Sequence, residues 1–135
     1  MILRSIGSVV AGVLFIITVT TLVDILLHAT KVFPPIDRPI DDRLALLATA
    51  YRIVISIGGA WLTAKLAPAR PMKHALILGV VGAALGIVGI VATWNLRLGP
   101  RWYPVTLAIL AIPQCWIGGR IHAWRGIRGG RFARA

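Results

Sequence analysis

Residues 5–23 read SIGSVVAGVLFIITVTTLV, nineteen positions without a charge. A helix of about 20 residues crosses the roughly 30 Å of hydrocarbon in a bilayer, whereas the apolar core of a secretory signal spans only about 7–15 residues. Arg4 precedes the run, Asp24 follows it, and no convincing A-x-A cleavage site lies downstream. The stretch is therefore expected to remain in the chain as a membrane-spanning helix.

Three more runs of similar character follow: Leu44 to Ala64, Ala75 to Leu96 and Trp102 to Gly119. The whole chain agrees with them, since 58% of its 135 residues are hydrophobic. Its mean hydropathy of +0.84 lies well above that of ordinary water-soluble domains. The expected fold is all-α, a four-transmembrane-helix antiparallel bundle forming a single integral membrane domain over residues 1–135. Its helices are placed near 5–30, 43–66, 73–96 and 102–124, with residues 125–135 as a basic cytoplasmic tail.

The net charge of +11 is distributed as a topology signal rather than a nucleic-acid footprint. In a four-span hairpin, Arg4, Lys65, Arg70, Lys73, Arg120, Arg125, Arg128, Arg131 and Arg134 share one side with no acidic residue. Opposite them, Lys31, Arg38, Arg43, Arg97 and Arg101 are offset by Asp37, Asp41 and Asp42. Because basic residues accumulate on the cytoplasmic side, both termini are expected there, in a bacterial inner membrane. The five arginines from Arg120 to Arg134, interleaved with Trp124, Ile127 and Phe132, suit anionic lipid headgroups at about 1 kcal/mol per basic residue. The RGG inside that stretch is too short to imply RNA, and no nucleic-acid partner is expected.

The segment KVFPPIDRPIDDR, Lys31 to Arg43, contains three prolines and separates the first two helices. Asp41 or Asp42 is positioned to cap the second helix and to complement its dipole. LAPARPMK forms the next turn, and RLGPRWYP the last, with Pro104 in a helical first turn. Trp94, Trp102 and Tyr103 mark an aromatic belt at the outer interface, with Trp124 at the inner one. Cys115 is the only cysteine, which excludes an internal disulfide and fits a small apolar side chain within the last helix.

Gly79, Gly82, Gly86 and Gly89 follow one face of the third helix. Small residues let backbones approach where the hydrophobic effect does not drive helices together, so this face is expected to pack inside the bundle or at a homodimer seam. Pro113, well inside the fourth helix, deprives the Ile109 carbonyl of its usual partner and is expected to bend or loosen that helix.

Asp24 and His28 lie four residues apart, on one helical face, with Thr20 and Thr21 a turn before. Arg52, Ser56, Gly59 and Thr63 define a polar, small-residue face on the second helix. At 1.5 Å per residue Asp24 lies roughly 9 Å, and Arg52 roughly 12 Å, below the outer ends of their helices. Each charge alone is costly in hydrocarbon, so Asp24, His28 and Arg52 are read as one intramembrane polar cluster with an Asp24–Arg52 ion pair. A structural tie and a protonatable or ion-coordinating site both fit that spacing.

Asp24 with His28 supplies only two potential metal ligands, while His74 and His122 fall on the opposite side, so neither a metal nor a haem is expected. The chain has no glutamate, and no group combines a nucleophile, a base and an orienting residue. No catalytic residue or cofactor is therefore assigned.

DILLHATKVFPP, ATAYR, LAPARPMKHALILG and WYP resemble segments of small uncharacterised bacterial four-helix membrane proteins, over most of the chain. The resemblance implies the four-span fold and brings no assigned activity. Four-helix drug exporters differ, since they carry a glutamate in the first helix and this chain has none. The functional expectation is a small non-enzymatic accessory, assembly or structural membrane component. The alternative is a dimeric small-solute or proton-coupled transporter using Asp24 and Arg52.

Overall fold

The computed structural model describes residues 1–132, with side chains described as far as Gly129. These residues form four helices and no strand: α1 (Ile2–Ala29), α2 (Asp42–Leu66), α3 (Pro71–Thr93) and α4 (Trp102–Phe132). All four are long and apolar enough to cross a membrane. Large apolar side chains such as Leu14, Leu22, Val54 and Val91 face outward. The interior uses small residues instead, with Ala60, Ala64 and Ala75 packed around Leu78 and Cys115. This inversion suits lipid, where helix association depends on close van der Waals packing.

Helices α2 and α3 form the centre, each touching all of the others. Helices α1 and α4 both lie against α2 and α3 but do not meet each other. The three chain reversals place both ends of the described chain and the α2–α3 turn at one end of the bundle, here the terminal end. The α1–α2 and α3–α4 loops share the other, the loop end, where the Ile40 N–H donates to the Leu98 carbonyl at 3.0 Å.

In the terminal half the backbones come close. A Cβ added to Gly118 would lie 2.5 Å from the Ile57 carbonyl oxygen and 2.7 Å from Ala60 Cβ. One added to Gly12 would overlap the Thr63 hydroxyl and lie 3.1 Å from the Gly59 carbonyl. Gly119 faces Ala75 and Met72 at similarly short range.

Local chemistry sets the helix ends. At the end of α1 the Val32 N–H bonds to Leu27 and the Lys31 N–H to His28, a Schellman arrangement with Lys31 at φ 58° where glycine is usual. The Asp41 side chain caps α2 by accepting from the Leu44 N–H at 2.9 Å, while Asp42 accepts from the Trp102 indole at 2.8 Å. Pro71 occupies the first turn of α3, where its missing N–H costs nothing. That helix stops at Thr93 rather than near Leu96, and the chain then turns through Arg97 at φ 46°.

The basic segment from residue 125 is not a separate tail as far as it is described. Helix α4 continues through it to Phe132, carrying Pro113 within its length. Stacking across one helical turn supports the extension, with Arg128 over Trp124 at 3.9 Å, as Arg120 lies over Trp116 at 5.3 Å two turns earlier. The Arg131 side chain and all of Arg134 lie outside the described residues.

Candidate functional site

Asp24 sits one and a half turns before the end of α1, and Tyr51 and Arg52 are neighbours on α2. Arg52 Nη2 donates to Asp24 Oδ2 at 2.7 Å, and the Tyr51 hydroxyl donates to Asp24 Oδ1. Both carboxylate oxygens are thereby engaged. This is the only salt bridge among the described residues, and its side chains keep 33% (Arg52) and 28% (Asp24) of their surface exposed, so the pair borders open space. The Arg52 guanidinium also lies 6.0 Å from the Tyr51 ring centroid and 5.9 Å from that of Tyr103, within reach of cation–π attraction. Tyr103 comes from the first turn of α4, so Arg52 reaches toward the loop end from below while the tyrosine reaches inward. Arg52 Nε is buried without an acceptor.

Two cavities meet at this arginine. The inner one, about 430 Å³, lies between the helices at membrane depth and is lined by Thr20, Thr21, Asp24, Arg52, Ser56 and Gln114 among apolar neighbours. Gln114 is 8% exposed, and its Oε1 has no partner. Ile17 and Thr21 on α1, and Gly82 and Leu85 on α3, line the cavity yet remain exposed at the surface. The cleft therefore opens sideways between α1 and α3, which come together at Gly12 and Leu78. The second cavity, about 670 Å³, occupies the loop end and is lined by Arg52, Arg97, Arg101, Trp94 and Tyr103 with apolar loop residues and no acid. Both volumes fall in the range of small-molecule sites.

His28 does not face the Asp24 carboxylate. Its Nδ1 lies 2.8 Å from the Asp24 backbone carbonyl, a bond that requires the proton on Nδ1, and its ring edge packs on Phe33. Within the glycine face of α3, a Cβ on Gly79 would lie 3.0 Å from Ile112 Cα, and one on Gly86 3.0 Å from Ala108 Cβ. Gly82 is looser, at 3.6 Å from Ala111 Cβ, and a Cβ on Gly89 would meet nothing within 4 Å. The four glycines thus do not form one continuous seam. Gly79 and Gly86 meet α4, Gly82 borders the inner cavity, and Gly89 is open. At the terminal end Arg120, Arg125 and Arg128 are exposed, and Arg125 and Lys65 lie on the Trp61 ring at 5.9 and 5.1 Å.

Several residues of the site escape sequence reasoning. Tyr51 is adjacent to Arg52 and hence at its depth, a signal that was present. Gln114 is the chain's only glutamine and stands inside an apolar run. Arg97 and Arg101 read as ordinary loop charges until the fold places them around the same cavity as Arg52. No protein-family model, curated protein or solved structure matches this chain.

Proposed function

We propose that this small membrane protein is a non-enzymatic accessory or assembly component of a bacterial inner membrane, and that its Asp24–Tyr51–Arg52 cluster binds rather than reacts. The observation that carries this reading is the position of Arg52, held by Asp24 while lining two cavities at once. A binding role is favoured over catalysis because both Asp24 oxygens are already engaged and the His28 ring is turned to a backbone carbonyl. Purification from native membranes, followed by identification of co-purifying lipids and proteins, tests it. A partner or ligand retained by the wild type and lost from Arg52→Gln is expected; identical co-purification from both would remove the cluster's role.

The nine basic residues assigned to the terminal end support cytoplasmic termini. Reporter fusions after Ala135 and within Pro34 to Pro39 check the orientation, and an external C-terminal reporter reverses it.

A second reading, a dimeric small-solute or proton-coupled transporter, is favoured by the succession of a loop-end cavity and an intramembrane cavity, which resembles part of a path. Solute flux in liposomes that disappears with Asp24→Asn would select this reading over the first.

A further inference from the structure

We propose that the loop-end cavity is an anion site that takes a terminal phosphate without a cationic substituent, on a lipid headgroup or free, between Arg52, Arg97 and Arg101. This rests on the reading of Arg52 as a binding element and names what it binds. Three arginines and no acid line that cavity. Confinement of like charges is unfavourable without a counter-charge. Of the chain's four acids, Asp24 lines the inner cavity, Asp41 caps α2, Asp42 accepts from Trp102, and Asp37 is not among the residues lining the loop-end cavity. Arg52 can serve both partners because Asp24 takes only its Nη2 while the residue also lines the loop-end cavity.

The loop backbone fixes where one of these charges sits. Arg97 adopts φ 46°, a left-handed conformation that costs a residue with a Cβ roughly 1–2 kcal/mol and glycine almost nothing. An arginine at this position is a local liability for the turn, and it adds charge to the cavity wall. Arg101 is held in place by stacking on Trp94 at 4.9 Å, and Trp94 lines the same cavity. Tryptophans favour the headgroup level of a bilayer, which places the site where phosphate is abundant.

The full chain in uncharged detergent, at about 0.15 M salt to screen long-range attraction, provides the test. Titrations with dioctanoyl phosphatidic acid, dioctanoyl phosphatidylcholine and inorganic phosphate are compared by calorimetry. Saturable binding of phosphatidic acid at least about tenfold tighter than phosphatidylcholine is expected, equivalent to about 1.4 kcal/mol. Phosphatidic acid binding more tightly than inorganic phosphate identifies a lipid headgroup as the source; equal affinities identify the free ion. Arg97→Gly relieves the backbone while removing the charge, so it should weaken binding about tenfold without lowering the ligand-free melting temperature. Arg101→Gln should weaken it similarly. Arg4→Gln, at the terminal end, should leave the saturable phase unchanged.

Equal affinity for the anionic and zwitterionic lipids, lost on Arg52→Gln, would overturn the anion site while leaving Arg52 a binding element. Binding that neither Arg97→Gly nor Arg101→Gln weakens would also overturn it. Absence of binding by all three probes would remove the anion site, and with no co-purifying partner the binding reading would fall as well.

Discussion

The two halves of the bundle solve different problems. Toward the termini, Gly12, Gly59, Gly118 and Gly119 bring helix backbones together so closely that an added methyl group meets a neighbour. Toward the loops, Asp24, Arg52 and Gln114 border two cavities, with close approach kept at points such as Gly86 against Ala108. Both devices work in hydrocarbon, the first by close van der Waals packing and the second by pairing charge that lipid would not solvate. The closest backbone approaches thus lie toward the termini, and the polar cavities toward the loops.

The largest expected effect tests that division directly. Gly118→Leu should destabilise the protein by about 3 kcal/mol or more, because a carbonyl and the adjoining α2 backbone leave the new side chain no flexible neighbour to displace. Unfolding in detergent mixtures measures this, and an unchanged midpoint would mean that the tight half is not tight. Next come the charges: Asp24→Asn and Arg52→Gln should each cost about 1–3 kcal/mol by leaving a hydrogen-bonding group without its partner. The double substitution should recover part of that loss, with a coupling of about 1 kcal/mol or more. Strictly additive losses would separate the two residues energetically.

Tyr51→Phe is expected to cost about 1 kcal/mol, since one of the two bonds to the Asp24 carboxylate disappears while the ring remains. A loss as large as that of Asp24→Asn would make the tyrosine, not the arginine, the main holder of the carboxylate. Gly89→Ala should have the smallest effect, neutral or stabilising by up to about 1 kcal/mol, because its Cβ enters open space and alanine is the better helix former. If this change destabilised as much as Gly118→Leu, the contrast between packed and open regions would fail.

The fold is legible in the sequence because one variable, the length of apolar runs, nearly determines it when water is excluded. Proximity of Asp24 to Arg52 is legible for a related reason: depth and helical period leave two lone charges few places to meet. The glycine face of α3 is less transparent. Periodicity puts Gly79, Gly82, Gly86 and Gly89 on one side, but which of them a neighbour reaches depends on how α4 passes across α3. Likewise, the stacking of Arg128 on Trp124 supports helix α4 past the residue at which apolar character alone would end it. The loop-end cavity is the least legible feature, because Arg52 and Arg97 belong to elements far apart in the chain and only the joined loops bring them together.

The absence of a close approach between α1 and α4 has a consequence for how the bundle is built. A ribosome delivers the helices in order, and α2 finds α1 already present. When α3 arrives, both of its earlier neighbours are in place; when α4 arrives, α2 and α3 are waiting. Each newcomer can dock on what precedes it. No finished interface has to reopen, and each helix has all its partners once the helix two places further along has arrived.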